Sequence, residues 1–80
     1  MILKPVSTEK GVKMIELDNT LTFETEMRAE KPEIRAEIEK LFNVKVVGIR
    51  TAVRQNKKLV YVKLNKANPA IDVATKLGMI

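Results

Sequence analysis

Val44-Lys45-Val46-Val47-Gly48-Ile49-Arg50-Thr51-Ala52-Val53-Arg54-Gln55-Asn56-Lys57-Lys58-Leu59-Val60-Tyr61-Val62-Lys63-Leu64 reads as two strands around a polar turn. From Lys58 to Leu64 the chain alternates. Val60, Val62 and Leu64 share one side; Leu59, Tyr61 and Lys63 take the other. Period two with β-branched residues predicts a strand. The run from Val44 to Arg54 is also a strand, with a complication. Val44 and Val46 face one way, but after Gly48 the apolar phase moves to Ile49, Thr51 and Val53. A phase slip beside glycine is what a β-bulge produces. Gln55-Asn56 supplies the turn, so the two strands form a hairpin.

Outward from the hairpin, Lys31-Pro32 opens a helix, because proline suits the first helical position. Ile34, Ile38, Leu41 and Phe42 follow at helical spacing, with Glu33, Arg35, Glu37 and Lys40 on other faces. Thr20 to Glu26 alternates, Leu21, Phe23 and Thr25 against Thr20, Thr22, Glu24 and Glu26. That pattern predicts a strand with one wet face. A first helix starts near Val6-Ser7-Thr8-Glu9-Lys10, where Ser7 or Thr8 caps and Glu9 suits the first turn. Val12, Ile15 and either Met14 or Leu17 give it an apolar face, and Asp18-Asn19 turns the chain. Asn68-Pro69 caps a last helix whose stripe is Ile71, Ala74 and Leu77, stopped by Gly78.

The order is helix, strand, helix, strand, strand, helix, and Met1 to Lys4 can add a short edge strand. A right-handed strand–helix–strand crossover leaves room for a strand between its ends. The last strand, the most continuously apolar, fits that place. The expected fold is α+β: a small, mainly antiparallel sheet, a split β-α-β with a terminal hairpin, packed with three short helices. Eighty residues make one domain, spanning 1–80.

Composition excludes several chemistries. With no Cys and no His, the chain has no disulfide, thiol nucleophile, imidazole base or usual zinc ligand. No cofactor, metal or small-molecule substrate is expected. No apolar run approaches the ~20 residues of a membrane span. Met1 to Val6 is too short for a signal peptide. The carboxylates Glu33, Glu37 and Glu39 stand beside Arg35 and Lys40, as on a solvated, salt-bridged face rather than in acid–base catalysis. An acylphosphatase-like hydrolase would need a phosphate-cradling loop, and no Gly-rich loop is present.

Charge is the informative property. Between Glu39 and Asp72 there is no acidic residue, but there are eight basic ones: Lys40, Lys45, Arg50, Arg54, Lys57, Lys58, Lys63 and Lys66. The acids cluster from Glu16 to Glu39. A one-signed field of this kind suits a polyanion, nucleic acid above all. The hairpin brings Arg54, Lys57 and Lys58 to its tip. Tyr61, the only tyrosine, shares a strand face with Lys63 and is placed to stack on a base. The bland alternative is a solvated face whose lysines protect edge strands. The strand around Lys57 lacks the aromatics of the ribonucleoprotein-type domain.

These residues resemble a known family. Pro5-Val6-Ser7-Thr8-Glu9-Lys10, Asn19-Thr20-Leu21-Thr22-Phe23 and Ala29-Glu30-Lys31-Pro32-Glu33-Ile34 are followed by Glu39-Lys40-Leu41-Phe42-Asn43-Val44-Lys45-Val46. Lys57-Lys58-Leu59-Val60-Tyr61-Val62-Lys63-Leu64 and Ala74-Thr75-Lys76-Leu77-Gly78 complete the likeness. Together they look like large-subunit ribosomal protein twenty-three in its short archaeal form, over essentially the whole chain. The resemblance implies a structural, non-catalytic protein of the cytoplasmic ribosome. It implies binding to large-subunit rRNA at the polypeptide exit-tunnel rim, beside large-subunit ribosomal protein twenty-nine, on a platform where the signal recognition particle docks. It carries rRNA contacts to Lys10, Lys31, Thr51, Lys57, Lys58, Tyr61 and Lys63, and protein docking to Glu9; the charge pattern adds Arg50 and Arg54. Bacterial members extend the last hairpin into the tunnel, whereas Gln55-Asn56 closes it here, and Glu30 stands where a small polar residue is usual. A free-standing RNA-binding or protein-docking α+β module is the alternative.

Overall fold

The computed structural model describes residues 3–6 and 9–78, and of Glu9 and Lys10 only the backbone. Its elements are β1 (Leu3–Pro5), α1 (Glu9–Asp18), β2 (Thr20–Thr25), α2 (Lys31–Phe42), β3 (Val46–Arg54), β4 (Lys57–Leu64) and α3 (Ala70–Lys76). The strands form one sheet in the order β1-β2-β4-β3, antiparallel at every pairing. Thus β4 lies between β2 and β3, the ends of the crossover that carries α2. This is the α+β arrangement the sequence implies, and β1 supplies the edge strand. The Ser7 or Thr8 cap lies outside the described residues.

The bulge is where the apolar phase slips. Val46 pairs with Leu64 and Gly48 with Lys63, so Val47 is the extra residue. Val46 is buried and Val47 exposed; from Gly48 on, the alternation has changed sides. Val44 precedes the strand instead of starting it and packs against the core from the loop. At the other end Gln55 (φ 51°) and Asn56 (φ 64°) both take left-handed conformations. A two-residue loop of this kind matches the twist of its strands.

One face of the sheet carries the core. Leu21 opposes Val62 and Phe23 opposes Val60, and all four are fully buried. α2 lays Ile34 and Ile38 on this face, and Phe42 stacks on Phe23 with ring centroids 6.3 Å apart. Burying a side chain of this size contributes about 2–3 kcal/mol. Leu41, expected on the same stripe, is exposed: the row Ile34, Ile38, Phe42 takes the seat and turns Leu41 to solvent. α3 buries Ala70, Val73 and Ala74. Ile71 is exposed, contrary to the expected stripe, because Ala70 is the residue drawn against the fold.

Asn19 does the drawing. It follows α1 at φ 52°. Its Oδ1 accepts the N–H of Ala70, and its Nδ2 lies 3.1–3.2 Å from the carbonyls of Leu64, Asn65 and Asn68. Asn68 therefore does not cap α3; its Oδ1 accepts from the N–H of Lys45. A second clamp fixes the start of β3. Glu39 accepts the N–H of Val46 at 3.0 Å, Arg35 donates to the Val46 carbonyl at 3.0 Å, and the two side chains form an ion pair.

Thr20 and Thr22 depart from expectation most. They lie on the face read as wet, yet both are buried. α1 is the cause: buried Gly11 and half-buried Met14 line a depression with Thr22, Leu59 and Tyr61. Ile15 joins the core, Val12 is half-buried and Leu17 is exposed, which settles the apolar face of α1.

Candidate nucleic-acid interface

Side chains alternate across a strand, so register decides which cations share a face. Arg50 opposes Tyr61, Gly48 opposes Lys63 and Arg54 opposes Lys57. All these side chains project from the face opposite α2 and α3. The Arg50 guanidinium lies over the Tyr61 ring, 5.9 Å from its centroid. Such a cation–π pair is worth about 0.5–1 kcal/mol at an exposed site. It also holds a long side chain in one place. Lys63 and Arg54 are exposed, and no ion pair involving either is seen among the described residues.

Lys57 is different. Its Nζ lies 3.7 Å from Glu24 Oε1, a carboxylate from β2. Lys57 is largely exposed and the separation is 3.7 Å, so the pair contributes little to stability, but it lowers the net charge of the tip. β1 adds a cation the sequence reading missed: Lys4 pairs with Glu24 across the sheet and is exposed. Only the placement of β1 beside β2 reveals it.

Three expected contacts sit elsewhere. Lys58 belongs to the inner face, half-buried, and its Nζ donates to the Ala29 carbonyl at 2.6 Å. It ties β4 to the turn before α2, so it does not join Arg54 and Lys57 in one cluster. Thr51 opposes Val60 on the same inner face and is half-buried. Lys31 is exposed in the first turn of α2, beside a cleft of about 260 Å³ lined also by Gly48 and Ile49. That cleft adjoins the outer face through Gly48. The side chains of Lys10 and Glu9 lie outside the described residues.

A cavity of about 390 Å³ opens on the outer face, lined by Asp18, Thr20, Gly48, Ile49, Arg50, Tyr61 and Lys63. A Cβ built on Gly48 would meet nothing within 4 Å, so the floor is open there. No group of His, Cys, Asp or Glu that could hold a metal is present among the described residues. Glu33 is exposed, and Glu39 is engaged with Val46 and Arg35. This surface is equipped to neutralise phosphates and to offer a flat cation–aromatic pair to a base.

Comparison with known proteins gives two findings. The profile of the family described as ribosomal protein L23 matches residues 1–73. A Trypanosoma brucei brucei protein, large ribosomal subunit protein uL23, is 41% identical over 81 residues, covering all of this chain and 49% of that relative. The chain thus spans about half the length of this relative.

Proposed function

The chain belongs to the ribosomal protein L23 family, and we propose that it works as a structural constituent of the large ribosomal subunit, binding large-subunit rRNA through the outer face of its sheet. The observation that carries this is the gathering of Arg50, Arg54 and Lys63 around Tyr61 on the sheet face opposite α2 and α3, where α1 approaches only through Gly11 and Met14 among the lining residues. Each cation that meets a phosphate releases condensed counterions, so affinity comes with steep salt dependence. The role is positional and involves no catalysis. The protein is cytoplasmic and ribosome-bound in this reading.

Finer placement follows the family resemblance. The chain sits at the rim of the polypeptide exit tunnel, beside large-subunit ribosomal protein twenty-nine. Glu9, in the first turn of α1, is the contact offered to the signal recognition particle. Lys10, Lys31 and Lys57 flank the rRNA surface. Lys58 and Thr51, on the inner side of the hairpin, support this surface instead of meeting the RNA.

Cosedimentation with large ribosomal subunits lacking this protein, at low and high salt, tests the reading. The wild type is retained at low salt. The combined R50Q/R54Q/K63Q variant is lost at moderate salt while its circular dichroism is unchanged. Equal retention of the two would remove the outer face as the rRNA surface. Glu9→Lys is expected to weaken docking of the signal recognition particle while leaving incorporation intact.

A further inference from the structure

The cavity beside Tyr61 has features that a phosphate-binding surface does not need. Its lining contains one carboxylic acid, Asp18, amid Arg50 and Lys63. Asp18 is the last residue of α1, a helix with no basic residue in its last turn. A negative charge at a helix C-terminus opposes the macrodipole. The Asp18 side chain is exposed, and Thr20 Oγ1 bonds the Asp18 backbone carbonyl rather than the carboxylate. Helix stability therefore does not account for an acid at this position. Charge complementarity with phosphate does not either, since a carboxylate repels it.

The geometry points to a pocket for a single unpaired guanine base of the bound RNA. This rests on the outer face being the rRNA surface, and it names what the cavity there takes. Arg50 held over Tyr61 offers a flat cationic surface on which a base stacks. A volume of about 390 Å³ falls within the ordinary range of small-ligand pockets. The Watson–Crick edge of guanine carries two adjacent donors, N1–H and the N2 amino group, which a carboxylate accepts in parallel. Adenine and cytosine each present one donor next to an acceptor, and uracil presents one donor between two carbonyl oxygens. An ionised carboxylate accepts only, so Asp18 pairs fully with guanine and is repelled by part of each other edge. Lys63, at the cavity wall, meets the adjoining phosphate.

Fluorescence anisotropy on the full chain tests this with labelled nine-nucleotide RNAs: all-uridine, or uridine with guanosine, inosine or adenosine at the centre. The guanosine strand is expected to bind about tenfold more tightly than all-uridine, as for a bidentate base contact. Inosine, which lacks the N2 amino group, falls between them. Asp18→Asn removes the preference, while the all-uridine affinity holds or rises as a charge that repels phosphate is lost. As a second readout, the Tyr61 ring protons, from the only tyrosine in the chain, shift upfield with the guanosine strand more than with all-uridine. Equal binding of all four strands, or a preference that survives in D18N, overturns the pocket. A steep salt dependence shared by all four strands would then leave the rRNA surface standing. Binding insensitive to R50Q/R54Q/K63Q would remove that surface as well.

Discussion

Asn19 and Ala70 are joined by a side-chain to backbone hydrogen bond across 51 residues, the Ala70 N–H donating to Asn19 Oδ1. The bond ties the end of α1 to the start of α3. The same amide reaches the carbonyls of Leu64, Asn65 and Asn68, and Asn19 holds a left-handed backbone that asparagine tolerates better than most residues. Asn19→Ala is therefore expected to cost about 2–3 kcal/mol, combining a lost cap with left-handed strain. Asn19→Asp keeps the acceptor but sets a charge against those carbonyls, and should be destabilised too. Urea unfolding midpoints decide this; an unchanged midpoint for both variants would remove Asn19 as a keystone.

The Arg35–Glu39 pair acts through Val46. Glu39→Ala leaves a part-buried N–H without its acceptor, at a cost of about 1–3 kcal/mol. Arg35→Ala loses the matching bond to the carbonyl. The double variant should be less destabilised than the sum of the singles, because both act on one peptide segment. Thermal unfolding of the complete cycle measures the coupling.

The hairpin turn is locally suboptimal. Gln55 sits at φ 51°, where a residue with a long side chain is strained and asparagine is not. The pair Gln55→Asn with Asn56→Gly is expected to raise stability by about 0.5–1 kcal/mol. An unaltered or lower melting temperature would contradict it.

Lys58 and Arg54 separate structure from binding. Lys58→Met breaks the bond to the Ala29 carbonyl and should lower the unfolding midpoint with little effect on the RNA salt slope. Arg54→Gln should do the reverse, reducing the slope of log affinity against log salt by about 1. Anisotropy titrations with an rRNA fragment at several salt concentrations, beside urea unfolding, distinguish the two.

The hairpin was legible because its signals are local. Val60, Val62 and Leu64 alternate without interruption, which marks β4 as the central strand, and Gly48 marks the slip in β3. The face of α3 was not legible. Ile71 outweighs Ala70 on hydrophobicity, but the bond from the Ala70 N–H to Asn19 sets Ala70 against the fold and leaves Ile71 exposed. The burial of Thr22 depends on α1 lying over it, a tertiary event with no trace in the threonine alternation. On the outer face of the sheet, the set Arg50, Tyr61 and Lys63 follows from period two, whereas Lys58 belongs to the other parity. Asp18 reads as a turn residue because its neighbours in the cavity, Gly48 and Tyr61, are distant in sequence.

The extra residue at Val47 behaves like a parity bit for the whole edge strand. Val46 points inward, and without the bulge the even-numbered positions after it would point inward too. Arg50 and Arg54 would then be driven against the helices while Ile49 and Thr51 met water. One inserted residue thus sets the sign of the electrostatic potential on each side of the sheet. Deleting Val47 would therefore leave Ile49 inward and Arg50 outward, because Val46 and Gly48 already lie on opposite faces, whereas straightening the strand with Val47 kept would exchange its wet and dry sides.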